Sequence, residues 1–390
     1  MKILTLADYF LPGFKAGGPI RTIANMVERM GPEYEFLIFT RDRDLGATSS
    51  YPGVQVNAWN TLNTARVFYA APGIDRFRHL LRVLRSEGHD VLYLNSFFSW
   101  RSTLLPLLLL RLGLARKVPT VLAPRGEFSK SALGLKAAKK RLYMLLTRAL
   151  GLYGSITWQA SSDDEAKDIH KAMKPGDGKV IVAPNLLPVP AGDMVDSGGY
   201  ETRPRRRGAL RVVFLSRISP MKNLDFLLRV LKGLNAEISL DIYGPTEDVP
   251  YWEKCVQLIA ELPSNIQVDY RGAVSAEKVA GVFRQYDLFV FPTRGENFGH
   301  VIIESLNVGT PVLLSDRTPW RADPDGAIEV VDLDDEQAWR EAISRWCRAG
   351  TETVLQRRHA ANRYARRVRA SDQAIAMNRR LFEHALERWE

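Results

Sequence analysis

Residues 288–316 read LFVFPTRGENFGHVIIESLNVGTPVLLSD. Leu288–Pro292 has the unbroken apolar character of a buried strand, and Thr293–Phe298 the polarity of a loop. Gly299 opens a helical run to about Val308, which Gly309-Thr310-Pro311 ends. A second strand follows at Pro311–Leu314. Strand, loop, helix and strand in this order make one unit of a parallel α/β sheet. The stretch also places two carboxylates eight positions apart, Glu296 in the loop and Glu304 in the helix. A carboxylate among Val301, Ile302 and Ile303 is unfavourable unless something polar meets it.

The alternation extends in both directions. Further strands are expected at Leu210–Leu215, Glu237–Tyr243, Ile266–Tyr270 and Ile328–Val331. An earlier set is expected at Ile3–Ala7, Glu35–Phe39, Val91–Leu94, Thr120–Ala123 and Gly154–Gln159. After the first of these, Gly17-Gly18-Pro19 leads into Ile20, Ile23, Ala24 and Val27 at helical spacing, with Pro19 in the first turn. Asp163-Asp164-Glu165 opens a helix after Ser161-Ser162. The segment around 188–208 is rich in Pro, Gly and charge and breaks the pattern. The sequence therefore predicts an α/β chain with a first Rossmann-like domain at 1–190 and a linker at 191–208. A second Rossmann-like domain follows at 209–370, then an amphipathic helix within 371–390. Two doubly wound halves in series imply a cleft between them, with ligands at the carboxyl ends of the strands.

A chain of 390 residues suffices for two such cores. Its two cysteines, Cys255 and Cys347, make no disulfide framework and fit a reducing, cytoplasmic compartment. The N-terminal run MKILTLADYFLPG is broken by Asp8 and lacks the cleavage site of a signal peptide. Leu104–Leu110 is too short to span a bilayer and reads as a buried helix between Arg101 and Arg111. Charge is uneven. Residues 1–190 hold 26 Lys and Arg against 15 Asp and Glu, a net +11, whereas 191–390 hold 28 against 29, a net −1. The basic first half points to an anionic partner such as a phosphate-bearing substrate or an anionic membrane. Nucleic acid is set aside, because no helix-turn-helix, zinc or RNP signature is present.

Candidate chemistry collects at strand ends. Arg217 and Lys222 follow the strand Leu210–Leu215 and can aim two positive charges at one anion. Gly17 and Gly18 let backbone N–H groups approach a phosphate at a helix start. Neither a G-x-G-x-x-G nor a P-loop pattern occurs. Unpaired N–H groups of Phe298, Gly299 and His300 lie near Glu296, whose carboxylate can accept two hydroxyls at once, as sugars and riboses require. His300 and Glu304 have i,i+4 spacing but no third ligand beside them, and Asp323-Pro324-Asp325-Gly326 reads as a solvated turn, so no metal site is expected.

These residues resemble the family 4 retaining glycosyltransferases of the GT-B fold, of the group 1 exopolysaccharide and lipopolysaccharide type. The Glu296-x7-Glu304 pair within ENFGHVIIE, the following GTPVLLSD, Arg217-x4-Lys222 and Gly17-Gly18 carry the resemblance. It implies two Rossmann-like domains facing a deep cleft, with a C-terminal helix crossing back to the first. It also implies transfer of a hexose-type sugar from a UDP- or GDP-linked donor, without a metal or other cofactor, to a glycan or polyprenyl-diphosphate-linked acceptor. Arg217 and Lys222 would hold the donor diphosphate, Glu304 the ribose and Glu296 the sugar hydroxyls. The backbone at Asn297, Phe298 and Gly299 would meet sugar and phosphate, Gly17 and Gly18 would close over the diphosphate, and Val274 would face the base. Where many members have His-Gly, this chain has Arg125-Gly126, which would contact acceptor or donor sugar. A sugar-nucleotide epimerase of the same fold and a non-catalytic nucleotide-sugar-binding scaffold are the alternatives.

Residues 130–150 form an amphipathic pattern. Leu135, Ala138, Leu142, Leu145 and Ala149 make an apolar seam, and Lys136, Lys139 and Lys140 a basic face. One reading packs the seam into the core. The other docks it on anionic lipid at the inner face of the cytoplasmic membrane or on a lipid-diphosphate acceptor.

Overall fold

The computed structural model describes residues 1–134, 137–189, 208–370 and 372–389. Its contacts form two compact units, one holding residues 1–189 and 372–389, the other the described residues 208–370. The expected linker, apart from Gly208, lies outside the described residues.

The first unit runs β1 (Lys2–Leu6), α1 (Gly18–Met30), β2 (Glu35–Arg41), β3 (Trp59–Leu62), β4 (Ala65–Ala70), α2 (Ile74–Ser86) and β5 (Val91–Asn95). A π turn (Trp100–Leu104) leads into α3 (Leu105–Arg111) and β6 (Thr120–Ala123). Then come α4 (Lys130–Gly134), α5 (Ala137–Ala149), β7 (Ile156–Ala160), α6 (Asp163–Met173) and β8 (Val180–Val182). The sheet order is β3-β4-β2-β1-β5-β6-β7-β8, parallel throughout except for the antiparallel β3–β4 pair. Successive strand residues face opposite sides, so Ile3, Phe36, Ile38 and Tyr93 serve one core while Leu4, Leu37, Leu92 and Leu94 serve the other. Burial on both faces is why these strands read as continuous apolar runs.

The second unit runs β9 (Ala209–Leu215), α7 (Leu224–Lys232), β10 (Glu237–Tyr243), α8 (Val249–Ala260), β11 (Ile266–Gly272) and α9 (Ala276–Arg284). It continues with β12 (Leu288–Phe291), α10 (His300–Asn307), β13 (Val312–Ser315), β14 (Ile328–Val331), α11 (Glu336–Arg348) and α12 (Thr351–Arg369). Its sheet is parallel, in the order β11-β10-β9-β12-β13-β14. The last helix, α13 (Gln373–Glu387), belongs to the first unit. There Leu381 and Phe382 are fully buried, and the Phe382 ring meets Tyr93 edge-on at 5.5 Å. Both units thus have the doubly wound order that reverses direction beside the first strand of each sheet.

Three strands, β3, β4 and β8, add to those expected. The helix expected across 130–148 is divided into α4 and α5, and Leu135 and Lys136 of its seam and basic face lie outside the described residues. The packed reading of that seam is corrected by the structure, since Leu142 and Leu145 are 57% and 66% exposed. Leu107 and Leu109 of α3, by contrast, are buried.

Candidate functional site

In the second unit the strand order reverses between β9 and β12, so the loops leaving these two neighbours splay apart above the sheet. One of those loops carries Lys222 and the other Glu296. Backbone and side chain bonds stitch the loops together. Arg294 N–H donates to the Met221 carbonyl at 2.8 Å, Asn223 Nδ2 to the Pro292 carbonyl at 3.0 Å, and Arg294 Nε to Asn223 Oδ1 at 3.0 Å. Asn223 takes a left-handed conformation (φ 62°) to start α7, which turns Lys222 inward. Lys222 is buried, with Nζ 2.5 Å from Glu296 Oε2 and 5.2 Å from the Phe291 ring centre. A short lysine–carboxylate bond in a poorly hydrated place is a strong charge-assisted contact.

Gly299 precedes α10 in the left-handed region (φ 78°). A Cβ there would lie 2.7 Å from Ile302 Cδ1 and 2.9 Å from Glu296 Cγ, so the absent side chain gives Glu296 its space. Phe298 is held by Trp320, whose indole Nε1 donates to the Phe298 carbonyl at 2.5 Å, and its ring lies 4.8 Å from that of buried His300. Asn297 and Glu304 are half-buried, the latter one turn into α10. The N-terminal end of α10 therefore opens beside the Lys222–Glu296 pair, adding the positive end of its dipole.

Arg217 leaves β9 next to this pair in sequence, but its guanidinium is exposed and donates to Glu247 Oε2 at 3.1 Å. The ends of β9 and β10 approach so closely there that a Cβ on Gly244 would sit 1.7 Å from the Ser216 carbonyl oxygen. Val274 is half-buried in the loop after β11. The structure thus brings Lys222 and Glu296 together and gives Arg217 a separate carboxylate. Asn223, Arg294 and Trp320 were not read as site residues from sequence. An asparagine before an apolar helix is a cap signal, yet nothing local marks its bond across to Pro292.

In the first unit Gly17 (φ 75°) caps α1, and Gly18 opens the helix. Arg125 (φ 57°) and Gly126 (φ 79°) follow β6. The Arg125 guanidinium donates to Asn95 Oδ1 from both Nε (3.2 Å) and Nη2 (2.7 Å), to Asn185 Oδ1 (2.7 Å) and to the Tyr93 hydroxyl (2.5 Å). Four of its roughly five N–H groups are used internally, which fixes Arg125 as a brace between β5 and the segment after β8. Gly126 N–H donates to Glu165 Oε1 at 2.6 Å. Burial raises the Glu127 carboxyl above the usual range, against bonds from Ser96 and the Phe97 and Phe98 N–H groups. On α5, Leu142, Leu145, Leu146 and neighbouring Leu150 are all exposed.

Residues 203–368 match the family model described as glycosyl transferases group 1. The D-inositol 3-phosphate glycosyltransferase of Rhodococcus erythropolis (strain PR4 / NBRC 100887) is 30% identical over 168 residues, 40% of this chain and 37% of that protein. The enzyme of the same name from Mycolicibacterium smegmatis is 34% identical over 103 residues, 26% of this chain and 24% of that one. The matches thus span between about a quarter and little more than a third of the length of these curated relatives. Among solved structures, sucrose-phosphate synthase from Thermosynechococcus elongatus superposes with TM-score 0.70 at 15% identity, covering 100% of both chains. Anabaena Alr3699/HepE in complex with UDP and glucose gives 0.65 at 16% identity and 98% of each chain. WaaG, a glycosyltransferase involved in lipopolysaccharide biosynthesis, gives 0.62 at 12% identity, 97% of this chain and 98% of that one. The fold is GT-B: two Rossmann-like parallel sheets flanked by helices.

Proposed function

We propose that the chain is a retaining glycosyltransferase that needs no metal and moves a hexose-type sugar from a UDP- or GDP-linked donor. Its acceptor is a glycan or a polyprenyl-diphosphate-linked precursor in cell-surface polysaccharide synthesis. The observation that carries this reading is the Lys222–Glu296 pair, seated where the second sheet reverses and within the segment matched by the group 1 model. Transfer from a nucleotide sugar builds positive charge at the sugar carbon and negative charge on the departing diphosphate. Lys222 and Arg217 supply cations to the diphosphate, and the start of α10 adds N–H groups and its dipole. Lys222 also holds Glu296 extended beside the helix start, where it accepts donor-sugar hydroxyls. Glu304, one turn on, accepts the ribose hydroxyls. Asn297, Phe298 and Gly299 offer backbone to sugar and phosphate, and Val274 lines the base. The UDP and UDP-glucose complexes of Anabaena Alr3699/HepE support a uridine donor.

We further place the enzyme in the cytoplasm, touching the inner face of the membrane through α5. Between residues 101 and 150 there are eleven Lys and Arg and one acidic residue, Glu127, which is half-buried and accepts from Ser96 and the Phe97 and Phe98 N–H groups. Exposed leucines beside exposed Lys139, Arg141 and Arg148 suit an anionic lipid surface. Thermal unfolding with UDP-, GDP- and ADP-sugars tests the donor, because a ligand bound only by the native state raises the midpoint. Transfer of the labelled sugar in excess EDTA then tests the reaction. Donor binding with no transfer to any acceptor extract sinks the enzyme reading in favour of a scaffold.

A further inference from the structure

The first sheet has its own reversal, between β1 and β5. Asp8 and Tyr9 leave β1, Ser99 and Ser102 follow β5, Arg41 ends β2, and Arg76 lies on α2. Ser99 and Ser102 donate their hydroxyls to Asp8 at 2.7 and 3.0 Å. Asp8 Oδ1 also lies 3.9 Å from Nη2 of both Arg41 and Arg76, close enough for charge attraction but too far for a hydrogen bond. The Arg76 side chain is only 8% exposed, yet among the described residues its guanidinium makes no hydrogen bond. Its other neighbour is the Phe39 ring, 6.0 Å away. Arg41 donates Nη1 to the Tyr9 hydroxyl at 3.0 Å, while its buried Nε has no partner among the described residues. Burial, with the charges of Arg41 and Arg101 against that of Asp8, lowers Arg76 to about 10, so it stays charged at neutral pH.

Two arginines therefore face one carboxylate that two serines already occupy, and the charge of exposed Arg101 lies near enough to act on Arg76. A buried, charged guanidinium without hydrogen bonds is unfavourable, and an anion with several oxygens would relieve it. A carboxylate fills one guanidinium fork. Two converging forks with net positive charge fit a phosphate, which carries up to two charges and three free oxygens.

We propose that Arg41 and Arg76 bind a phosphate group of the acceptor substrate, with Asp8 and its two serines holding the site open and exposed Arg101 adding positive charge. The acceptor assignment rests on the glycosyltransferase reading, whereas the phosphate site itself does not. The test is thermal unfolding with inorganic phosphate, glycerol 3-phosphate and a water-soluble isoprenyl diphosphate. It is run on the full chain and on an Arg217→Ala/Lys222→Ala background that silences the donor site. The midpoint is expected to rise in both, and Arg76→Gln to weaken the apparent affinity about tenfold or more, as loss of a charge-assisted fork should. Without phosphate, Arg76→Gln should unfold no earlier than wild type, because it sheds a buried charge whose contact with Asp8 is 3.9 Å long, too far for a hydrogen bond. A merely structural Arg76 would unfold earlier. Exposed Arg101→Gln, which leaves the fold untouched, should weaken phosphate several-fold. An unchanged phosphate response in Arg76→Gln and Arg101→Gln overturns the proposal, as does a response that vanishes in the donor-silenced background. A stronger response to the monoester identifies a soluble sugar or polyol phosphate, and a stronger one to the isoprenyl diphosphate a lipid-linked acceptor. Both outcomes support the site. UDP-sugar binding by the wild type separates the two readings. If it persists while the phosphate response fails, the transferase stands without this site. If it fails while phosphate binds, the anion site stands alone.

Discussion

Lys222 and Glu296 sit 2.5 Å apart in a place with little water, so removing either charge strands the other. Lys222→Ala is expected to lower turnover about 10²-fold or more, of the order for one lost electrostatic donor, and to lower the melting midpoint as well. Lys222→Met/Glu296→Leu should recover most of that midpoint, because an apolar pair replaces a costly ionic one, while staying inactive. Arg217→Ala should cost a similar factor in turnover with the midpoint nearly unchanged. Its exposed bond to Glu247 contributes about 0–1 kcal/mol. Steady-state rates beside unfolding curves check all three, and equal rates for Arg217→Ala and wild type would remove Arg217 from the diphosphate role. Glu296, Arg217 and Lys222 stand out in the sequence because each lies a few residues past an apolar run, and Glu304 because it interrupts one. Asp8, Arg41 and Arg76 were not, since only the sheet order brings such distant positions together. The Arg125 brace was hidden for the same reason, its partners being Tyr93, Asn95 and Asn185.

At the scale of elements, helical spacing told where α5 would be but not which way its leucines would face. Apolar residues at helical intervals are compatible with either a core or an exposed stripe. Leu142→Ser/Leu145→Ser should therefore change stability by no more than about 0.5 kcal/mol, as surface substitutions do, yet abolish flotation with anionic vesicles at low salt. Retained flotation would move the membrane contact elsewhere. The buried parallel strands were readable as unbroken apolar runs, whereas β3 (WNTL) is short and half-exposed and β8 has three residues, too few for a pattern. A polar tie that no periodicity marks joins α7 to α8. Asp225 is 2% exposed; burial alone would raise its pKa, but bonds from Lys254, Tyr251 and Arg229 outweigh that and hold it at about 2. A depressed carboxylate stabilises the fold above its unfolded pKa, near 4, and that contribution is lost as pH falls towards 2. It amounts to roughly 2 kcal/mol. Asp225→Asn should flatten the stability profile between pH 4 and 2 relative to wild type. Parallel profiles would show that the tie carries no linkage.

The whole molecule is two doubly wound units, each with its own core, and the chain's last helix is part of the first unit's core. The restart of strands near residue 209 announced two sheets. What sequence periodicity alone left open was where α13 would bury its apolar face, because an amphipathic helix fits any complementary surface. In the structure Leu381, Phe382 and Ala385 are buried in the core shared by α1 and β1, β2 and β5. Asn378 Nδ2 donates to the Pro184 carbonyl at 2.8 Å, and Arg379 pairs with Glu33. Phe382→Ala should therefore act on the first unit, by about 3–5 kcal/mol for a large buried aromatic, although only eight residues of the sequence follow it. Hydrogen exchange locates the effect. Amides of β1, β5 and β6 should exchange faster in the variant, while β9, β10 and β12 keep wild-type protection, since local opening follows cooperative units. A saturating nucleotide sugar should do the converse in wild type, slowing exchange at 217–223 and 293–304. If Phe382→Ala loosened both sheets equally, the two units would be one cooperative body, and the donor would then stabilise strands of the first sheet as strongly as those of the second.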